Sequence, residues 1–469
     1  MRILLAPLAE KMLPNRLHAL LPYAAKVDSA IWGTDDQAAA NRGALIVFFI
    51  RVASAALAYA LQVFLARFLG GTEYGIFVTV WTLLIIFSLF SCFGFSNSVL
   101  RFIPEYEASQ DHGRLNGLLY TAKTVGFASA TLIAGLGALL TWALSDVLDN
   151  HFVLPLLLMA ICLPITVYSR VLEGIARAYD WQLVAMMPIF IWRPLLIILA
   201  MVSAWFLGFA ATATTACLSV IFSAWAVAAL QTLMMHKRLK SKVTKAPKVF
   251  EFKYWLLISG PMLLVDGFFQ LITSADVLMV GYWLDPHQVG IYFAASRTLA
   301  LLHFVFYAVR SVSAARLSRL YHSGNTHGLH AYTRTAAQMT FYPTLLLGIL
   351  LVPVAPLLLS LFGSDFTEGL PALYILILGV LARASLGPAD ALLIMSGNQM
   401  RCAWIYAFVF AVNVALNVLL IPQLGLMGAA LSTTLAIFTE AALVYSVTLK
   451  RLGVRPFFLA QSASPAAIS

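Results

Sequence analysis

The sequence predicts an all-α integral membrane protein with about twelve transmembrane helices in two six-helix lobes related by pseudo-two-fold symmetry. The first observation behind this prediction is composition. Of 469 residues, 61% are hydrophobic and 11% are charged, whereas a soluble domain carries roughly 45–50% apolar and about 25% charged residues. The second is the recurrence of apolar segments of about 20 residues, the length that crosses a bilayer as a helix. The third is an internal alignment between the two halves of the chain.

The predicted spans are the segments with the length and apolarity of a membrane-crossing helix. In the first half of the chain they are residues 44–66, 76–98, 117–143, 152–172, 183–207 and 210–235. In the second half they are residues 255–284, 290–312, 335–361, 370–396, 402–421 and 426–448. When the N-terminus is placed in the cytoplasm, most of the 30 Lys and Arg residues fall on the inner side and only Arg67 falls on the outer side. This bias predicts that both termini are cytoplasmic.

The chain divides into five parts. Residues 1–43 form a leader whose apolar positions are interrupted by prolines and charges, and which is either an interfacial amphipathic helix or a mobile segment. The basic run 236–254 separates six spans from six, so residues 44–235 form a first lobe and residues 255–450 a second lobe. Residues 451–469 form a tail. We expect the linker 236–254 and the tail to lie in the cytoplasm.

The two lobes repeat one another in sequence. The stretch LGGTEYGIF, residues 69–77, aligns with LDPHQVGIY, residues 284–292. The same spacing, carried onward without gaps, pairs Arg101 with Arg316 and Gly113 with Gly328. Each lobe has an even number of predicted spans, six, so both lobes enter the membrane from the same side. This arrangement is found in transporters built from parallel repeats.

Several ionisable residues lie inside the predicted spans, where a charge at mid-bilayer costs about 2.5–3.5 kcal/mol. Such residues usually face the bundle interior or a water-filled cavity. A guanidinium presents several donors to a phosphate, so we predict that Arg51, Arg193 and Arg297 bind an anionic head group. The residues that we predict to couple an ion or to act as gates are Asp266, Asp276, Arg310, Arg383 and Asp390. The alternative for each is a structural ion pair or a snorkelling side chain.

Position in the chain predicts how some of these charges are arranged. The repeat spacing makes Arg51 equivalent to Asp266, so the two are expected to face one another across a central cleft. Depth counted from the turn at residues 285–289 places Asp276 near Arg297, and Asp266 more loosely near Arg310. A further expectation, from their spacing of seven residues, is that Arg383 and Asp390 share one helix face.

Motifs of soluble catalysis are absent from the sequence. It contains no GxxxxGK[ST], GxSxG or HExxH, and the predicted connections between spans are too short to house an extramembrane active site. The four cysteines lie in apolar runs without metal-ligand spacing. We therefore expect no enzyme activity, no metal site, no cofactor and no nucleic acid partner.

Four segments resemble the polysaccharide and O-antigen flippases of the multidrug/oligosaccharidyl-lipid/polysaccharide (MOP) exporter superfamily. The stretch NVALNVLLIPQLGLMGAA, residues 413–430, has the family's Asn-rich helix, Ile-Pro turn and Gly-Ala-Ala helix entry. The other three are FLARFLGGTEYGIF at residues 64–77, GFSNSVLRFIPEY at residues 94–106, and LFGSDF at residues 361–366. Together they extend over most of residues 44–450.

The resemblance implies two lobes around a cavity that opens alternately to each side, as in the related multidrug and toxic compound extrusion (MATE) proteins. It implies that the protein flips undecaprenyl-pyrophosphate-linked oligosaccharides across the bacterial inner membrane, driven by a proton or sodium gradient, alongside polysaccharide polymerase and chain-length proteins. It transfers no ligand residue directly. Two alternatives stay open: a cation-coupled drug or metabolite antiporter of the MATE type, and a non-transporting scaffold of a polysaccharide export complex.

Overall fold

The computed structural model describes residues 36–147, 149–244 and 246–459, with side chains from residue 50 onward. Over these ranges the chain is almost wholly helical and has no β-strand. It divides into two compact units, Met1–Ala58 and Tyr59–Ser469. Most of the predicted leader, which was expected to be either an amphipathic helix or a mobile segment, lies outside the described residues.

The helices of the first half begin with one that extends across the boundary between the two units. They are α1 (Asp36–Leu69), α2 (Gly71–Ser91), α3 (Phe95–Ala108), α4 (His112–Ala143), α5 (Asn150–Ala178), α6 (Gln182–Met187), α7 (Arg193–Phe206) and α8 (Ala213–Lys242). A single π-helical turn, Pro188–Trp192, joins α6 to α7. Pro188 lies at the start of this turn, and proline there removes a backbone donor and disturbs the regular hydrogen-bond ladder.

The second half repeats the long-helix pattern. Its helices are α9 (Phe252–Trp283), α10 (Pro286–His322), α11 (Thr326–Ser360), α12 (Leu370–Ala384), α13 (Ala389–Met395), α14 (Gln399–Leu424) and α15 (Leu426–Leu452), with a short 3₁₀ helix at Asp365–Gly369. Asp285 caps α10, because its carboxylate accepts a hydrogen bond from the Gln288 N–H at 3.0 Å.

Twelve helices of the described chain have the length and composition of membrane spans, so the protein is a multi-pass membrane protein. This confirms the predicted fold class. Two predicted spans differ in detail. Segment 76–98 is part of the long pair α2 and α3, which bends at Gly94 with φ 76°, and segment 370–396 is broken at residues 385–388. The connection between the lobes is also shorter than predicted, since α8 continues to Lys242 and α9 begins at Phe252.

Within the unit Tyr59–Ser469, helices α2–α8 pack mainly among themselves, as do α9–α15. The two groups meet where α2 packs along α10 and where α9 packs against α2 and α3. We call the side of the bundle that holds the connection 243–251 the linker end. The opposite side, where α2 and α10 begin, is called the far end.

Candidate functional site

Asp276 is a buried carboxylate in α9 with neutral hydrogen-bond partners. Its side chain is 4% exposed. The Tyr292 hydroxyl donates to Oδ2 at 2.7 Å and the Thr433 hydroxyl donates to the same oxygen at 3.3 Å. The Val277 N–H donates to Oδ1 at 2.9 Å. No ion pair of the described residues includes Asp276, although the Arg297 guanidinium lies within electrostatic range of its carboxylate.

Two asparagines of α14 extend this cluster. The Asn413 amide donates to the Thr433 hydroxyl at 3.4 Å, and the Asn417 amide donates to the Asn413 carbonyl oxygens of the backbone and side chain at 3.0 and 3.1 Å. Asn417 Oδ1 is buried with no hydrogen-bond partner among the described residues. A carboxylate, a hydroxyl and amide oxygens are the hard ligands that small cations prefer. The cluster can therefore hold a proton or a cation.

Two further acids of the second lobe are compensated by arginines. Asp390 accepts a 2.8 Å hydrogen bond at Oδ2 from Arg310 Nε, and the Tyr406 hydroxyl lies 3.4 Å from the same oxygen. Glu440 accepts a hydrogen bond from Arg383, and both side chains of this pair are buried. Each acid already has an opposite charge at contact distance. These pairs fit a structural role.

Three expectations about pairing need correction or comment. Arg310 forms its ion pair with Asp390, while Asp266 lies within electrostatic range of Arg310 without forming an ion pair with it. The expectation that Arg383 and Asp390 share a helix face is wrong because they lie on separate helices, α12 and α13. Gly387, with φ 57°, and the following proline break the segment between them. Asp276 and Arg297 lie within electrostatic range of each other but form no ion pair in the described chain.

Asp266 forms a hydrogen bond between the lobes. Its Oδ2 accepts from the Asn97 amide at 2.5 Å, and Asn97 Oδ1 in turn accepts from Arg177 Nη2 at 3.3 Å. Arg177 Nε lies 3.6 Å from Glu173. The network joins α9 of the second lobe to α3 and α5 of the first.

Arg193 is a partly exposed cation of the first lobe without an acidic partner. It begins α7 directly after the π-helical turn Pro188–Trp192, a kind of distortion that is frequent at functional sites. Its guanidinium carbon lies 5.1 Å from the centre of the Trp81 ring. Its Nε and Nη2 atoms are buried and have no hydrogen-bond partner in the part of the chain that the structure describes.

Arg297 is the corresponding cation of the second lobe. It stacks on Phe293 at 4.3 Å, and its buried Nε has no hydrogen-bond partner among the described residues. Phe293 lies 6.2 Å from Tyr74 of α2, centre to centre. Farther along α2, Phe77 stacks on Trp81 at 5.9 Å. Arg193 therefore contacts an aromatic ring of α2 directly, whereas Arg297 is connected to α2 through Phe293.

Arg51 lies in the unit that ends at Ala58, and that unit is described by itself. Its side chain is exposed, and its backbone carbonyl accepts a 2.8 Å hydrogen bond from the Ser54 hydroxyl. Its expected position opposite Asp266 stays a prediction.

Glycines bring the two lobes into backbone contact at the far end. A Cβ atom on Gly75 of α2 would lie 1.6 Å from the Pro286 carbonyl oxygen of α10. A Cβ atom on Gly71 would lie 2.0 Å from the His287 ring. No residue with a side chain fits at Gly75 without separating the two helices, so the lobes are closed against each other at this end.

Hydrogen bonds add to the closure of the far end. Arg67 donates from Nε to the Leu361 carbonyl at 2.7 Å and from Nη2 to the Ser360 carbonyl at 2.6 Å. The Tyr59 hydroxyl donates to the Leu358 carbonyl at 3.2 Å. All three acceptors lie at the end of α11 or just after it, so the last turns of α1 are tied to the second lobe.

The residues that sequence reasoning missed are mostly neutral partners of the charges. Asn413 and Asn417 could have been identified from the sequence. They are two amides one helical turn apart in an apolar span, and buried amides require hydrogen-bond partners. Tyr292, Thr433 and Asn97 carried none, since hydroxyls and amides near helix ends are common.

Comparison with known proteins identifies the family. The family model described as "Polysaccharide biosynthesis protein" matches residues 40–320. The chain belongs to the polysaccharide biosynthesis protein family. A second family model, MatE, matches residues 261–419 of this family member. A comparison with curated protein sequences gives no significant match.

Solved structures share the fold of this polysaccharide biosynthesis family member at low sequence identity. An inward-facing multidrug resistance transporter of the MATE family and MOP superfamily is 15% identical, with a TM-score of 0.72 over 85% of this chain and 94% of that one. A MOP superfamily transporter from Pyrococcus furiosus is 15% identical, with a TM-score of 0.63 over 87% of this chain and 94% of that one. The lipid II flippase MurJ in an inward closed conformation is 16% identical, with a TM-score of 0.65 over 87% and 88%. The protein thus has the fold of MOP superfamily flippases and transporters.

Proposed function

We propose that the protein is a flippase for undecaprenyl-pyrophosphate-linked oligosaccharides in the bacterial inner membrane, serving the assembly of a surface polysaccharide such as O-antigen, capsule or exopolysaccharide. The observation that carries this proposal is the pair Arg193 and Arg297. Nε and Nη2 of Arg193 and Nε of Arg297 are buried atoms that lack hydrogen-bond partners among the described residues. A buried unpaired cation is costly. An anionic ligand that supplies the missing acceptors would remove that cost.

A pyrophosphate has the chemistry that these arginines lack. Its oxygens accept charge-assisted hydrogen bonds from guanidinium forks. The family's description and the lipid II substrate of the similar MurJ flippase agree with a lipid-linked saccharide.

Transport follows from the arrangement of the lobes. The head group enters between the lobes from the linker end while its polyprenyl tail stays in the bilayer. Separation of α2 from α10 at Gly75 and Pro286 then opens the far end, while the Asn97–Asp266 hydrogen bond, at 2.5 Å, holds α9 to the first lobe. Rocking of two repeats about a central site is the usual basis of alternating access.

The Asp276 cluster is the proposed site of the coupling ion. Binding of sodium or a proton neutralises a carboxylate whose described partners are the neutral groups of Tyr292, Thr433 and Val277. Thr433 is on α15 and Asp276 on α9, so occupancy changes the attraction between these helices. In contrast, Asp390 and Glu440 are paired with Arg310 and Arg383.

Orientation and partners complete the proposal. The bias of Lys and Arg toward the linker end supports a cytoplasmic position for that end and for both termini. A polysaccharide polymerase and chain-length proteins would then receive the product on the opposite side.

A MATE-type cation-coupled drug or metabolite antiporter is the second candidate. It is favoured by the buried carboxylate of Asp276 and by the match of the MatE family model to residues 261–419. A cavity for organic cations needs negative charge, whereas Arg193 and Arg297 contribute positive charge beside Trp81 and Phe293.

Reconstitution separates the two candidates. Proteoliposomes with a fluorescent polyprenyl-pyrophosphate sugar, followed by a membrane-impermeant quencher, report transfer between leaflets. We expect transfer by the wild type and its loss in R193Q/R297Q, while R319Q/K450Q, which removes two exposed charges, retains it. Drug-stimulated proton exchange without movement of the lipid would overturn the flippase proposal in favour of the antiporter.

A further inference from the structure

The connection between the lobes is an ordered segment held against the first lobe. We call its described residues, 236–244 and 246–254, the basic strap. The Val249 N–H donates to the Gly113 carbonyl at 3.1 Å, and the Asn116 amide donates to the Thr244 carbonyl at 2.9 Å. A Cβ atom on Gly117 would lie 1.9 Å from the Val249 carbonyl oxygen, so a glycine is required for this close approach.

The outward side of the basic strap is strongly positive. Its exposed basic side chains are Lys237, Arg238, Lys240, Lys242, Lys248 and Lys253. Lys248 lies over the Tyr120 ring at 3.6 Å and Arg238 over the Trp181 ring at 5.5 Å. The single acid of the basic strap, Glu251, is paired with Arg114 at 2.9 Å. Lys237, Lys240 and Lys242 form no ion pair in the described part of the chain.

The basic strap lies at the depth of lipid head groups. Helix α8 has 30 residues, and at 1.5 Å per residue it is about 45 Å long, whereas the hydrocarbon core is about 30 Å thick. Its last turns, which hold three of the lysines, therefore extend past the hydrocarbon. Beside them, Phe250, Phe252 and Tyr254 are exposed. Aromatic rings next to lysines are typical of the membrane interface.

We propose that the basic strap binds the head groups of anionic phospholipids at the membrane surface of the linker end. The lysine ammonium groups supply the charge that the lipid phosphates need, and the exposed rings insert beside the acyl chains. The backbone contacts with Gly113 and Gly117 hold these groups in place before a lipid arrives, which lowers the entropic cost of binding. This lipid site is separate from the substrate site at Arg193 and Arg297.

Lipid titration of the full-length protein tests the proposal. Purified protein in neutral detergent is titrated with phosphatidylglycerol and, separately, with phosphatidylcholine, and bound lipid is counted by native mass spectrometry. We expect the wild type to prefer phosphatidylglycerol by at least about tenfold, with the preference falling as salt rises. Equal binding of the two lipids by the wild type would overturn the proposal and leave an acidic protein surface as the occupant of the basic strap.

Matched triple variants assign the preference to the basic strap. K237Q/K240Q/K242Q should reduce the preference for phosphatidylglycerol by about tenfold or more. The control R319Q/K450Q/R451Q removes three exposed charges of the second lobe at the same end, and should reduce it by less than about threefold. A charge-preserving variant, K237R/K240R/K242R, should behave as the wild type. Equal losses in the first two variants would show that lipid binding follows net charge alone, which contradicts a site on the basic strap.

Discussion

Adding one methyl group at Gly75 should open the far end of the protein. The new Cβ atom would lie 1.6 Å from the Pro286 carbonyl oxygen. Ordinary contact begins at 3.4 Å, so α2 and α10 must separate by about 1.8 Å at this point. The obstructing atom belongs to the backbone at the start of a helix and has no other rotamer. Overpacking of this kind costs about 1–3 kcal/mol, which shifts a two-state equilibrium by about 5- to 150-fold.

Spin labels across the interface measure the shift. The four native cysteines are buried, so labels attach to cysteines introduced at Thr72 and Tyr282, which are both exposed. Pulsed electron paramagnetic resonance measures the distance between the two labels. In Gly75→Ala it should show a population at longer distance that is minor in the wild type. Gly137→Ala is the matched control, because no atom lies within 4 Å of its added Cβ. An unchanged distance distribution in Gly75→Ala would refute the role of this contact as the far gate.

Three further predictions concern the buried polar groups. Glu440→Ala leaves the Arg383 guanidinium buried and unpaired, so the free energy of unfolding should fall by about 3–5 kcal/mol. Thermal unfolding measures this change. A free energy of unfolding within about 1 kcal/mol of the wild-type value would show that the ion pair is not needed for stability. Asp276→Asn keeps the size of the side chain but removes its charge, so transport should lose its dependence on a sodium or proton gradient; retained dependence on either ion would exclude Asp276 as the coupling site. Asn97→Ala removes the hydrogen bond to Asp266, which is worth about 0.5–1.5 kcal/mol. A cysteine placed at Ser259, between α9 and the first lobe, should then react with a thiol label a few-fold faster. An unchanged labelling rate would show that the hydrogen-bond network takes no part in gating.

The bilayer made the fold largely predictable from sequence. Spanning helices must satisfy their own backbone, so apolar length alone locates them, and the basic loops indicate their direction. The errors lie where backbone geometry overrides hydropathy. The segment around Gly387 reads as one apolar span, yet Gly387 and the following proline end α12 and start α13 as a new helix. At Lys242 the helix simply continues into polar sequence, because hydropathy marks the edge of the membrane and not the end of a helix.

The site was predictable only as a set of buried charges. A single sequence shows that Arg310, Arg383, Asp390 and Glu440 are expensive in a membrane, but their pairing depends on which helices touch. The contact of α12 with α15, which brings Arg383 to Glu440, joins distant parts of the chain. Lone charges stand out only after the pairs have been removed, and for that reason the distinction between paired and unpaired groups required coordinates.

Neutral contacts between the lobes were also beyond the reach of sequence. Gly75 lies in the motif that aligns with the second lobe, yet nothing in a single sequence says that its missing side chain makes room for the Pro286 carbonyl. A close approach of two backbones is a property of both helices at once.

Affinity for the lipid pyrophosphate tests the central claim most directly. Binding of a polyprenyl pyrophosphate to the purified wild type should exceed binding of the matching polyprenol, and R193Q/R297Q should lose about a hundredfold of that preference, since each charge-assisted hydrogen bond contributes about 1.5–3 kcal/mol. Equal affinity of the wild type for the two lipids, or a preference that survives the double substitution, would contradict the assignment of these arginines to an anionic head group.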